Sequence, residues 1–268
     1  MNNLHPLIKR AALGLLALPL FMLSNIAQAN DFPTAAPEEV GVSSDRLQRL
    51  SNTMQRYIDS NMLAGTVSLV SRNGKVIHVE SQGWKNKETG EQMTDDSIFV
   101  IMSMTKPIVS AALMMLYEEG HFLLTDPITD WIPELAGKQV VIEDSGVNYR
   151  MSAHRPITFR HVLSHTAGVD PSREVLTEEE LALLPRKATL EETLINRASL
   201  PLSFHPGDDW QYGSSTDYVA LLVERISGQP LVDFLQEKIL DPLQMHDTSY
   251  IVPKDKIDRV AAVYSPSG

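Results

Sequence analysis

The chain has 268 residues, 43% apolar and 21% charged, a globular balance that excludes disordered, collagenous and fibrous proteins. Its 34 acidic and 23 basic side chains give a formal charge of −11, which repels phosphate backbones and argues against a nucleic-acid partner. With no cysteine, disulfides, thiolate metal sites and a cysteine nucleophile are excluded.

Residues 1–29 read as a leader rather than as part of the fold. Lys9-Arg10 form a basic start, and the apolar run from Ala11 to Leu23 is too short to span a bilayer comfortably. Ala27-Gln28-Ala29 then offers the small-x-small pattern cut by signal peptidase. The expectation is an exported bacterial protein, periplasmic or secreted, with no stable membrane insertion after cleavage.

Residues 30–42 read as an extended lead-in. Ser43-Ser44-Asp45 can cap a helix whose apolar positions Leu47, Leu50, Met54 and Ile58 step by three and four. Thr66–Val70 and Val76–Val79 flank Asn73-Gly74, the dipeptide suited to the positive φ angles of a type I′ turn, so a β-hairpin follows. Ile108 to Leu116 is apolar apart from Ser110, which predicts a helix buried on every side, closed by a left-handed cap at Gly120. Residues 121–210 show no sustained strand signal and read as mostly helical, with Glu178-Glu179-Glu180 a solvated helix start. Thr216–Ile226, closed by Gly228, and Leu231–Ile239 are two further helices, joined at Gln229-Pro230. The expected organisation after the leader is a domain over 30–268, with an α/β part from 30–120 and 211–268 and a mostly helical part from 121–210.

Ser103-Met104-Thr105-Lys106-Pro107 is the segment most able to carry chemistry. On a helix, residues three apart share a face, so the Ser103 hydroxyl and the Lys106 amine become neighbours. Pro107 lacks an N–H and is comfortable only near a helix start, which puts Ser103 at the end where free backbone N–H groups and the helix dipole favour negative charge. A serine hydroxyl is a poor nucleophile until a base takes its proton, and a lysine losing hydration in apolar surroundings is a candidate base. Taken alone, Ser-x-x-Lys is better explained by an exposed surface pair. Its place at the head of the most apolar helix favours chemistry, and Tyr212, between Pro206-Gly207 and a helix, is a candidate proton relay on a loop. His161 and His165 are four apart, but no Glu stands between them in a His-Glu-x-x-His pattern, so no metal is expected. There is no Gly-x-Ser-x-Gly elbow and no Gly-x-x-x-x-Gly-Lys loop, and no cofactor is expected.

These segments, with Leu124–Ile128, Leu163–Gly168, Pro206–Tyr212 and Asp241-Pro242-Leu243, resemble the serine β-lactamase and penicillin-binding-protein superfamily. The resemblance runs from about Val40 to Tyr264 and is nearest to the class C-like branch with family VIII carboxylesterases. It implies an antiparallel sheet flanked by helices plus a mostly helical region. It also implies catalytic roles for three residues: Ser103 as the acylated nucleophile, with Lys106 and Tyr212 sharing the base and relay work. The Ser103 N–H would be one oxyanion donor. Ser214 stands where the family's Tyr-x-Asn motif places a substrate-binding Asn, a departure that argues against strong β-lactam recognition. No Lys/His-Thr-Gly or Trp-x-Gly strand follows Tyr212, so the C-terminal strands are expected to be missing from a truncated chain. The function implied is a carboxylesterase on short-chain esters, with a small-molecule ester or amide substrate. The alternatives are a β-lactamase or D-alanyl-D-alanine carboxypeptidase, and an inactive fragment or non-catalytic binding module.

Overall fold

A computed structural model describes residues 32–184 and 189–265; the expected leader lies outside the described residues. Contacts divide the chain into two compact units, one up to Asp95 and one from Asp96 onward. The fold is α/β, with antiparallel strand pairing throughout its named strands.

In the first unit, helix α1 (Ser44–Asp59) follows a short turn at Pro37–Val40. Its stripe of apolar residues appears as expected, but Ser43 supplies no side-chain cap. Glu38 does so instead: its Oε1 accepts the Ser44 N–H at 2.8 Å, a carboxylate at the positive end of the helix. Strands β1 (Gly65–Arg72), β2 (Lys75–Asn86) and β3 (Glu91–Gln92) form one sheet in that order. The β1–β2 turn has φ of 53° at Asn73 and 72° at Gly74, the double positive φ of a type I′ turn. A bulge between Val70 and Ser71 then shifts the register. Polar contacts bind sheet to helix: Gln82 Nε2 donates to Ser51 O at 3.2 Å and to Gln55 Oε1 at 3.3 Å, and Ser51 Oγ donates to Glu80.

The second unit carries α2 (Thr105–Glu118), entered through the 3-10 turn Met102–Met104. Gly120, at φ 83°, ends it, and His121 N–H reaches back to Leu116 O at 3.1 Å. The expectation of burial on every side is corrected here. Val109, Ala112, Leu113 and Leu116 are buried, whereas Pro107 and Ala111 are exposed, because α2 packs through one face, chiefly against α6 (Ser215–Ser227).

Residues 121–210 contain the short helices α3 (Phe159–Leu163), α4 (Glu178–Ala182) and α5 (Leu190–Ala198). They also contain a hairpin of β4 (Gln139–Asp144) and β5 (Val147–Ser152), which the sequence reading lacked. Every residue of β5 is exposed, so its alternating Val147, Tyr149 and Met151 mark no buried face. Glu178–Glu180 do open a helix, capped reciprocally by Thr177 and Glu180. Glu180 is more than a solvated acid, since Arg150 grips it with bonds of 2.5 and 2.7 Å.

One apolar core unites these parts. Leu113, Phe159, Val162, Leu194, Leu202 and Leu222 belong to it, so 121–210 shares its interior with α2 and α6 rather than standing apart. Phe122 stacks on Phe159 at 3.7 Å between ring centroids, and Trp131 meets Phe159 edge-on at 5.1 Å. The last helix, α7 (Leu231–Leu235), continues as a π turn over Gln236–Leu240, covering the span expected as one helix.

Candidate active site

Ser103 sits in the turn that winds into α2, where the first N–H groups of helical backbone lack partners one turn earlier. The preceding residue, Met102, has a φ of 47°, a conformation that L-residues with side chains adopt at a cost. The three-residue spacing does what it predicts: Lys106 Nζ donates to Ser103 Oγ at 3.3 Å. Ser103 is exposed and Lys106 partly buried, so the lysine keeps some contact with solvent instead of being enclosed.

Tyr212 completes the group from a distant segment. The neighbouring Ser103 hydroxyl first, and then the Lys106 amine, hold its phenol's ionisation below the usual tyrosine range. The Lys106 ammonium also lies 4.9 Å from the centre of the Tyr212 ring. A hydroxyl, an amine and an acidified phenol are therefore brought together at an exposed surface. Such a set can pass a proton away from Ser103 as its oxygen attacks a carbonyl carbon, and back to a leaving group.

Beneath Tyr212 lies the segment Leu163–Gly168, which carries no chemistry of its own but forms a bed for the tyrosine loop. His165 O accepts the Gln211 N–H at 2.9 Å, Thr166 O the Gly207 N–H at 2.8 Å, and Gly168 O the Ser203 N–H at 2.8 Å. The His165 ring lies 4.9 Å from the Tyr212 ring and 6.3 Å from that of Trp210. Burial first, and then the Lys106 charge, lower the His165 ionisation and favour the neutral ring, while Asp170 pulls the other way.

Ser214, expected to face the substrate, uses its hydroxyl elsewhere. Its Oγ donates to Asp170 Oδ1 at 2.7 Å and its N–H to Asp170 Oδ2 at 2.7 Å. Arg197 Nη1 donates to Asp170 Oδ1 at 2.7 Å and to Ser214 Oγ at 3.3 Å. Neither Asp170 nor Arg197 stands out in the sequence, since nothing in local spacing links positions so far apart. His161 and His165, the pair weighed for zinc, do different work. His161 Nδ1 accepts the Thr158 N–H at 3.1 Å as part of a capping box, and no metal-holding cluster occurs among the described residues.

The Beta-lactamase family model matches residues 50–268, well over half of the sequence. The chain belongs to the β-lactamase family. Among similar proteins is Rv1367c of Mycobacterium tuberculosis, 34% identical over 216 residues, which are 79% of this chain and 54% of the relative. Esterase EstB of Burkholderia gladioli is 31% identical over 210 residues, 76% of this chain and 51% of the relative. The solved structure of EstCE1, described as a hydrolase with promiscuous acyltransferase activity, superposes with a TM-score of 0.70 at 26% identity. That match covers 83% of this chain and 57% of the other. The chain thus spans about half the length of the curated relatives it matches.

Proposed function

We infer that this protein is a serine hydrolase of the class C-like branch, allied to family VIII carboxylesterases, which forms an acyl-enzyme at Ser103 on small, short-chain esters. The observation that carries this reading is the 3.3 Å contact of Lys106 Nζ with Ser103 Oγ, with the same Nζ 4.9 Å from the centre of the Tyr212 ring. Ser103 Oγ attacks the ester carbonyl carbon while its proton passes into the Lys106–Tyr212 pair. The Ser103 backbone N–H faces the developing oxyanion. The alcohol leaves with that proton, and water then attacks the acyl-serine by the reverse relay. Lys106 and Tyr212 share the base and relay work. Relatives named as esterases, EstB among them, support the ester reading.

The engagement of Ser214 by Asp170 also favours esters over β-lactams, because it leaves no side-chain amide or free hydroxyl there to grip a substrate's amide. The export expected from residues 1–29 would place the enzyme in a periplasm or outside the cell.

p-Nitrophenyl butyrate and nitrocefin separate these readings. Turnover of the ester well above nitrocefin, with a fluorophosphonate bound at Ser103 and lost in Ser103→Ala, is the expected outcome. Fast nitrocefin turnover without ester hydrolysis would establish a β-lactamase. Absence of both turnover and labelling would establish the non-catalytic module.

A further inference from the structure

We propose that Asp170, paired with Arg197, is the positioning residue that holds Tyr212 against Ser103, with Ser214 as its handle on the tyrosine loop. This rests on the hydrolase reading above and concerns how the site is kept in register.

Tyr212 is 52% exposed, and the packing around its own side chain is partial: the His165 ring at 4.9 Å and the Trp210 ring at 6.4 Å. Its placement must therefore come largely from the backbone that carries it. On the N-terminal side, the Gln211 N–H is tied to His165 O at 2.9 Å, and Gln211 Oε1 accepts from Ser203 Oγ at 2.9 Å. On the C-terminal side, the ties between Tyr212 and α6 run chiefly to Asp170, with Arg197 Nη1 also donating to Ser214 Oγ at 3.3 Å. Both Asp170 carboxylate oxygens accept from Ser214 at 2.7 Å, one from the N–H and one from the hydroxyl. Bonds to an ionised acceptor are shorter and about twice as strong as neutral ones.

Gly213 shows how close the approach is. A Cβ at this position would overlap the Asp170 carboxylate, so the residue between Tyr212 and Ser214 has no room for a side chain. Asp170 is itself fixed from two directions. Arg197 Nη1 donates to its Oδ1 at 2.7 Å. Two residues earlier, Gly168 takes a φ of 72° and lies against Phe204, where a Cβ would stand 2.7 Å from the Phe204 carbonyl oxygen. Arg197 also neutralises a carboxylate that would otherwise face the site alone. The line of contact thus runs from Gly168 through Asp170 and Ser214 to Tyr212, and from there to Ser103. Asp170 touches no reacting atom.

The test compares Asp170→Asn and Gly213→Ala with the wild-type chain, with kcat expressed per site titrated by a fluorophosphonate so that misfolded protein does not count. Asparagine keeps the shape but offers one acceptor oxygen, and alanine drives the loop off an intact carboxylate. Displacements of an ångström at a reacting group cost up to about a hundredfold. Both variants are expected to lose about 10- to 100-fold in kcat per site, with KM changed less than about twofold. The limb of the kcat–pH profile set by Tyr212 should move to higher pH, since a displaced phenol loses the nearby Ser103 and Lys106 groups that hold its ionisation down. Ser214→Ala, which removes one of the two bonds, is expected to lose less than Asp170→Asn. Unchanged kcat per site and an unmoved pH limb in both variants, with only a lower titratable fraction or melting point, would overturn the proposal. A wild-type chain that neither labels nor hydrolyses would instead refute the hydrolase reading, and this inference with it.

Discussion

Among the described residues up to Asp95, only Ser51, Ile77 and Met93 are buried, whereas the unit from Asp96 onward encloses Leu113, Ile128, Phe159, Val162, Tyr218 and Leu222 almost completely. The first unit is a three-stranded sheet with polar contacts to its one helix, and Leu69 and Val79 are open to solvent. The second is a packed interior, and Ser103, Lys106 and Tyr212 all lie at its surface. Their rigidity comes from what is behind them: α2 is fixed by Leu113 and Leu116, and the tyrosine loop by its hydrogen-bonded bed and by Asp170. The contrast shows that an exposed group of side chains can be held in place by an apolar core without being buried in it.

The comparison breaks most visibly at the site. Tyr212→Phe removes the relay oxygen while sparing the packing, and is expected to lower kcat about 10²- to 10⁴-fold with an unchanged melting point. Steady-state ester hydrolysis and calorimetry on the same sample check both halves. The next effect lies in the second unit's interior. Leu113→Ala opens a cavity at a fully buried position and should cost about 2–5 kcal/mol in denaturant unfolding.

A smaller effect comes from acid. Arg259, and then Lys256, hold the Asp247 carboxyl down to about 2 from its ordinary 3.8. The folded state binds this proton less readily than the unfolded state, so the stabilisation is complete above pH 3.8 and is lost as the pH falls towards 2. Because the pair is half exposed and screened, its loss should amount to about 1 kcal/mol or less. Asp247→Asn should flatten that part of the stability–pH curve. The smallest effect tests the first unit: Leu69→Ser, at a position 60% exposed, is expected to stay within about 0.5 kcal/mol of wild type. A loss there comparable to that of Leu113→Ala would erase the contrast.

How much of this was legible in the sequence depends on the range of the interaction. The Asn73-Gly74 turn, the Gly120 cap and the Ser103–Lys106 contact are each set by a few neighbouring residues, and the backbone follows the local rule. Tyr212 was found through a motif and a resemblance rather than a period. The β4–β5 hairpin was missed because β5 buries nothing, so alternation without a core to point at reads as noise. Even its turn, Ser145-Gly146 with φ of 54° and 81°, is a weaker signal than Asn-Gly. Asp170 and Arg197 were invisible for another reason. A half-buried polar clamp between a helix and a loop has no repeat, and only the folded chain shows which acid meets which base. The role expected of Ser214 changed for the same cause, since its partner is a carboxylate 44 residues away.

The left-handed backbone at Met102 has one more consequence, for local opening rather than for catalysis. Its conformation costs roughly 1–2 kcal/mol, and only while the turn is formed. A brief opening of residues 101–104 recovers that energy, so the turn bearing Ser103 should open more readily than the rest of α2. The Met104 amide, bonded to Ile101 O at 2.9 Å, should then exchange its proton with solvent well before the amide of Leu113. In Met102→Gly, which adopts this φ freely, that exchange should slow.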